Sequence, residues 1–189
     1  MQHMSRHRAF LIQYCVTELP GAEAVNAAIL RQFAAVRDDP GLERSHLFEG
    51  RYENLYIPRR RLPALAPVLA EAERVACHLL RCQAGELALG FWFNEMRPGH
   101  RTLAHRHDED DELLSAVYYL SAPCDSGDLL LTQDAARTRI RPRQGMFVFF
   151  PPQVLHEVGV NHSAEVRLSI AMNFGIRRTK APGRPDAEP

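Results

Sequence analysis

Apolar residues fall into two textures along this chain, helix-like before Gly85 and strand-like after it. The segment from about Ala9 to Leu19 is apolar and β-leaning, and Pro20-Gly21 ends it. In AEAVNAAILRQFAAV, from Ala22 to Val36, the residues Val25, Ile29, Phe33 and Val36 recur at three-to-four spacing, which predicts an amphipathic helix. Asp39-Pro40-Gly41 then breaks the chain. A second helix is expected from about Leu62 to Leu80, with Leu65, Val68, Leu69, Val75 and Leu79 as its apolar stripe. Pro63 falls in its first turn, where a missing N–H costs little, whereas Pro67 either kinks the helix or moves its start later. Between the two helices lies GRYENLYIP, whose Tyr52, Asn54 and Tyr56 share one face if the piece is extended.

After Gly85 the runs shorten. ELALGFWFNEM, ELLSAVYYL, GDLLLTQ, TRIRP, GMFVFF and EVRLSIAMNFG are β-branched or aromatic, and Gly, Pro or Asp separates most of them. Strands at this spacing point to an antiparallel sandwich, jelly roll or barrel. The expected layout is mainly β with N-terminal helices. Residues 1–85 form a helical and β support region of one domain, residues 86–176 form the β core, and residues 177–189 are a polar, proline-rich tail expected to be disordered. The chain contains no internal repeat.

Composition narrows the function classes. Lys+Arg and Asp+Glu both number 23, so nothing in the global charge attracts nucleic acid or an anionic membrane. With 46% hydrophobic residues, 189 residues can bury a core without disulfide staples. Cys15, Cys77, Cys82 and Cys124 form no C-x-x-C pair and lack zinc-finger spacing, so thiols in a reducing compartment are the expectation. No apolar run approaches the ~18 residues needed to span a bilayer, and no signal-peptide core follows the N-terminus. A cytoplasmic protein without nucleic-acid or membrane partners is expected.

Three of the nine histidines, His100, His105 and His107, fall within eight residues. In an extended strand, His105 and His107 would point to the same side, roughly 6–7 Å apart along the backbone, and make half a metal site. His156 follows Pro151-Pro152 at the start of another expected strand, which sheet pairing could bring alongside. On its own, His-x-His is common on ordinary surface strands; His100 and His162 read as exposed loop residues and His78 as a helix residue. Arg167 is the more telling residue, because it interrupts EVRLSIAMNF, a run otherwise apolar enough for a core. An inward guanidinium needs an anion: either a salt-bridge partner or a ligand carboxylate, which Ser169 on the same face could also bind.

In combination these residues resemble the catalytic core of the iron(II)- and 2-oxoglutarate-dependent oxygenases of the prolyl-hydroxylase-like branch. The resemblance covers Phe91 to Phe174, about 85 residues, with its parts in order. A glycine turn (Pro98-Gly99) precedes His105-Arg106-His107. LLSAVYYL, SGDLLL and RPRQGMFVFFPPQVLHEV with His156 follow, and Arg167-Leu168-Ser169 closes the set. One departure stands out: the usual facial triad is two histidines and a carboxylate, and His107 occupies the place of the usual Asp. A bacterial and phage subgroup with H-x-H ahead of S-[GA]-V-Y-Y is similar in this respect. Two ligand sets stay open: His105, His107 and His156, or a shifted set of His107 with Glu109 or Asp108 and His156. The glycine-turn spacing aligns His105 with the family's first ligand and favours the three-histidine set.

The resemblance implies a double-stranded β-helix (jelly roll, cupin-like) core and a non-haem iron(II) dioxygenase. Such an enzyme uses O2 and 2-oxoglutarate to hydroxylate a substrate, releasing succinate and CO2. It implies that Arg167, Ser169 and Tyr119, the inward member of the Tyr118-Tyr119 pair, hold the far carboxylate of 2-oxoglutarate; a core tyrosine is the plainer role for Tyr119. The substrate, a small molecule or a peptide or protein, is not legible. Leu42–Asn54 and Cys124–Asp128 are the loops expected to select it. Asn94 and Trp92 share a face, with Trp92 leaning toward packing. A sheet edge or the N-terminal helices could support a homodimer. The alternative is a cupin-like three-histidine metal enzyme or metal-binding protein that does not use 2-oxoglutarate.

Overall fold

Strands from both halves of the chain fold into two facing antiparallel sheets, and the two helices cover the outer side of the larger one. The computed structural model describes residues 12–107 and 111–177. The larger sheet has seven strands: β1 (Cys15–Glu18), β2 (Glu43–Phe48), β3 (Arg51–Tyr56), β4 (Leu87–Met96), β6 (Glu112–Ser121), β9 (Met146–Phe150) and β11 (Arg167–Ile176). Their order is β1-β9-β6-β11-β4-β3-β2. The smaller sheet contains β5 (Thr102–His105), β7 (Leu129–Gln133), β8 (Ala136–Ile140) and β10 (Leu155–Val158), in the order β5-β10-β7-β8. Helices α1 (Ala22–Val36) and α2 (Ala66–Leu80) complete a jelly roll with a helical buttress.

The central strands read as almost continuously apolar because both of their faces are buried. On β11, Leu168, Ile170, Met172 and Phe174 pack with the helices, while Arg167, Ser169, Ala171 and Asn173 turn to the space between the sheets. On β6 the same alternation sends Leu114, Ala116, Tyr118 and Leu120 outward to the helices and Ser115, Val117 and Tyr119 inward. The helix side is closed by Ile29 and Phe33 of α1 and by Val68, Leu69, Ala72, Val75 and Ala76 of α2. Phe33 meets Phe93 with ring centroids 5.1 Å apart, and burying such a ring contributes roughly 1.5–3 kcal/mol. A polar pin joins the layers. Tyr118 donates its hydroxyl to Asn26 Oδ1 (2.6 Å), and Asn26 Nδ2 donates to the Leu120 carbonyl (3.3 Å), all inside the core.

Several expectations need correction. The second helix begins later than Leu62: Pro63–Leu65 form a 3-10 turn and the α-helix starts at Ala66 with Pro67 in its first turn. Leu79 is not in the buried stripe and is 39% exposed. Among the described residues the first strand is Cys15–Glu18, while Ala9 to Leu11 lie outside them. The segment Leu42–Asn54 is not a loop: β2 pairs with β3 through a two-residue turn, Glu49-Gly50, with φ of 48° and 78°. Two positive φ angles suit the tight turn whose twist matches a hairpin. The four cysteines are free, and Cys124 is exposed. The tail from residue 178 lies outside the described residues, as do Asp108 and Glu109.

Candidate metal and co-substrate site

Sheet register assembles the histidines. β10 pairs with β5 so that His156 stands directly opposite His105, and with β7 on its other side. β5 ends at His105, so the strand pleat does not carry His107 to the site. Instead the chain turns, and the His107 backbone N–H donates to the Pro152 carbonyl (2.9 Å) just ahead of β10. The three rings then converge, with centroids 4.2 Å apart for His105–His156, 5.1 Å for His105–His107 and 5.2 Å for His107–His156. One ring nitrogen from each lies within 4.8 Å of the others.

Backbone carbonyls select the tautomers. A carbonyl only accepts, so the contacts of His105 Nδ1 with Leu103 O (2.8 Å) and of His156 Nδ1 with Val154 O (3.0 Å) require Nδ1–H in both rings. Each Nε2 therefore keeps a bare lone pair, the form a metal takes, and the Nδ1–H bonds hold the rings in orientation. Burial, reinforced by the neighbouring His105, pushes His156 down to about 3 and His107 down to about 4. Both stay neutral at physiological pH. The donor set of three converging imidazoles is one that iron(II) accepts.

Arg167, in the first position of β11, is 1% exposed. Its Nη1 donates to the Gly127 carbonyl (2.7 Å), while its Nε has no partner. Among the described residues no carboxylate makes an ion pair with it, so the salt-bridge alternative does not hold there. Burial works against its charge. The guanidinium lies 4.9 Å from the Tyr119 ring centroid, and the Tyr119 hydroxyl is buried and also unpartnered. Ser169, 4% exposed, is the register partner of Tyr119. A buried cation beside an unused hydroxyl needs an anion that also accepts hydrogen bonds, and a ligand carboxylate meets both needs.

Triad and arginine open on one cavity of about 680 Å³, bounded by both sheets and by the β2–β3 hairpin. Trp92 is not merely packed: it lines this cavity, its ring 5.9 Å from that of His107. Asn94 lines it too, its amide held by donation to the Glu53 carbonyl (2.9 Å) and Asn54 Oδ1 (3.0 Å). The segment Cys124–Asp128 departs from expectation, because Gly127 holds Arg167 through its carbonyl and lines a separate groove outside. His46, Asn54, Glu112 and Asn173 also line the cavity; the first two lie in the segment Leu42–Asn54 expected to select the substrate, and Glu112 and Asn173 are not picked out as site residues by the sequence. Hairpin residues carry no apolar signal, and Glu112 is hidden in an acidic run; Asn173, however, is the fourth inward position of the strand carrying Arg167 and Ser169.

Residues 90–173 match the model of a family described as "Putative 2OG-Fe(II) oxygenase". No curated protein matches the chain in sequence. Among solved structures, a prolyl-4-hydroxylase from Pseudomonas putida superposes with a TM-score of 0.69 at 22% identity, covering 88% of this chain and 94% of that one. A prolyl hydroxylase from Trichoplax adhaerens, solved with a peptide fragment of the hypoxia inducible factor oxygen degradation domain, gives 0.65 at 15% identity, covering 86% and 83%. EvdO2 from Micromonospora carbonacea var. aurantiaca, complexed with 2-oxoglutarate, gives 0.66 at 15% identity over 92% and 91%. At these identities the superpositions speak for the fold.

Proposed function

We propose, for a chain that belongs to the iron(II)- and 2-oxoglutarate-dependent oxygenase superfamily, that His105, His107 and His156 hold the iron and that Arg167, Ser169 and Tyr119 hold the far carboxylate of 2-oxoglutarate. The chain is an oxygenase, and its substrate is unidentified. The observation that carries the residue assignment is the convergence of three imidazoles within 4.8 Å, two of them tautomerically fixed by backbone carbonyls. His107 and His156 are held neutral by burial, so no proton has to leave them before a cation binds. Arg167 supports the second half of the assignment, as a buried cation whose anion the described residues do not supply.

With iron(II) and 2-oxoglutarate bound, such a centre supplies the oxidising power that puts an oxygen atom from O2 into a substrate while 2-oxoglutarate is split to succinate and CO2. The residues of this chain position and shelter. The Leu103 and Val154 carbonyls hold the two Nδ1–H groups; Arg167 and the Tyr119 hydroxyl offer charge and a donor to a carboxylate. Val148, Phe150, Leu129 and Leu131 form an apolar wall beside them that excludes bulk water and strengthens each polar contact. The three-histidine set is one negative charge poorer than the usual two-histidine, one-carboxylate site, so the bound dianion contributes more of the neutralisation. A peptide substrate accords with the open end of the cavity, and a small molecule with its volume. The alternative without 2-oxoglutarate is favoured by His107 in the place of Asp, and it leaves Arg167 without a role.

The test is anaerobic. Iron(II) is added first and 2-oxoglutarate second, and the weak visible charge-transfer band of a chelated keto acid is followed. The band is expected only with both present and is expected to vanish in His156→Ala. Iron bound tightly without a band would favour the alternative, and no iron bound would remove the ligand assignment.

A further inference from the structure

The wall of the cavity remote from Arg167 carries a polar chain that neither the iron nor 2-oxoglutarate uses. Asn173 lies six residues along β11 from Arg167, roughly 20 Å at the rise of an extended strand. Ser115, its register partner on β6, donates its hydroxyl to Asn173 Oδ1 (2.9 Å). That bond orients the amide, whose Nδ2 donates to Glu112 Oε1 (3.2 Å). The other carboxylate oxygen, Glu112 Oε2, is buried and has no hydrogen-bond partner. Ser115 and Asn173 thus hold one oxygen of the carboxylate in place and leave the second without a donor among the described residues. Such an atom is rare in folded proteins, because its desolvation goes uncompensated.

Aromatic groups surround the same space. Trp92 and Tyr56 line the cavity with Glu112, their ring centroids 6.2 Å apart. These residues and Asn173 also line an adjoining open groove of about 760 Å³, so the wall connects the triad with the surface. A half-buried carboxylate that shares a cavity with two aromatic rings is the chemistry that selects a cationic nitrogen: the carboxylate takes its N–H groups and the ring faces attract its charge.

We propose that Glu112, Trp92 and Tyr56 form a receptor for a cationic nitrogen on the substrate, so that the enzyme acts on a molecule carrying an ammonium or guanidinium group. A lysyl or arginyl side chain or a free amine meets the description. The proposal rests on the reading of this cavity as the substrate chamber of an oxygenase. A cationic group anchored at Glu112 would orient the carbon to be oxidised toward the triad, with Asn173 acting as a positioning residue for the carboxylate.

Trp92 is the chain's only tryptophan, so intrinsic fluorescence reports on this wall alone. The full chain, with iron(II) and 2-oxoglutarate under anaerobic conditions and again without them, is titrated with butylguanidinium and with its neutral isostere butylurea. Butylguanidinium is expected to bind at least ~10-fold more tightly. Glu112→Gln keeps the shape and the acceptor but loses the charge, and is expected to erase that preference without lowering the melting temperature. Tyr56→Leu is the second variant should Glu112→Gln fail to fold; it is expected to weaken butylguanidinium several-fold more than butylurea. Equal affinities in the wild type, binding of neither compound, or a preference that survives both substitutions would overturn the proposal. A substrate recognised by neutral hydrogen bonds would give the first of these results. The charge-transfer band is read separately, so loss of cation preference with the band intact counts against this receptor and not against the oxygenase site.

Discussion

Replacing Arg167 by Met separates its two roles, because the side chain is built into the core and yet lacks the anion that would repay its burial. In the ligand-free protein the substitution removes one charge-assisted bond to the Gly127 carbonyl, worth about 1.5–3 kcal/mol. It also removes an unpaired cation from a site only 1% exposed, a desolvation penalty of several kcal/mol, and fills the space with an apolar chain of similar length. The two nearly cancel, so ligand-free stability is expected to stay the same or rise. Binding behaves differently. Truncating one partner of a buried charge pair costs ~2–5 kcal/mol, which weakens 2-oxoglutarate roughly 30- to 5,000-fold. At 100 times the wild-type Kd, 2-oxoglutarate stabilises the wild type by about 2.7 kcal/mol, a rise of roughly 5–11 °C in Tm for a domain of this size. For Arg167→Met the same concentration is expected to add less than about 4 °C. Anaerobic thermal unfolding with iron(II), with and without 2-oxoglutarate, measures both quantities. A ligand-free variant destabilised by more than about 3 kcal/mol that keeps the full ligand shift would refute the reasoning and make Arg167 a structural residue.

Two further outcomes follow from the geometry. In the metal-free protein, His156 and His107 are held neutral, at about 3 and about 4, against an unfolded value near 6.5. Below pH 6.5 the unfolded chain therefore binds protons that the folded chain does not, and stability is lost as pH falls through 4 and toward 3; urea unfolding at pH 7.5, 6 and 5 is expected to show a steady decline that shrinks in His156→Phe, and an identical slope in that variant would contradict the assignment. At the helix–sheet pin, Asn26→Ala strands the Tyr118 hydroxyl and the Leu120 carbonyl inside the core, at ~1–3 kcal/mol each, and Tyr118→Phe added to it is expected to recover part of the loss; a single-variant cost under ~1 kcal/mol would mean the pin does not hold α1.

What could be read from the sequence depended on whether a residue contradicted its neighbours. Arg167 was legible because a guanidinium inside RLSIAMNF has no purpose in an ordinary core, and the strand period then assigned Ser169 to the same face. Alternation puts Tyr118 and Tyr119 on opposite faces and the family resemblance selects Tyr119 as the inward one; the structure turns Tyr118 to the helices and Tyr119 to the interior. The hairpin β2–β3 was illegible for the opposite reason: ERSHLF carries no apolar alternation, since this edge strand is partly exposed on both faces. Its stabilising feature, a two-residue turn with both φ angles positive, is built on Glu49-Gly50, a weaker signal than the Asn-Gly or Asp-Gly such turns favour.

The site shows where local reasoning gives out. His-x-His predicts two rings on one strand face, but the strand stops at His105, and His107 reaches the triad through a backbone bond to Pro152, forty-five residues away. Spacing alone could not supply that contact, because it depends on how the segment ahead of β10 is seated. Glu112 makes the same point. In the sequence it closes the run Asp108-Glu109-Asp110-Asp111-Glu112 and looks like one more solvated charge, whereas in the fold it opens β6, next to Asn173 of β11. Its meaning comes from the unpartnered oxygen, a property of packing rather than of composition. A strand period tells which residues face inward; only the register between strands tells which of them meet. His105, His156, Arg167, Ser169 and Tyr119, proposed to hold the iron and 2-oxoglutarate, lie on regular strands where the period makes them legible, while His107 and Glu112 lie beyond or at a strand end, where periodicity carries little information.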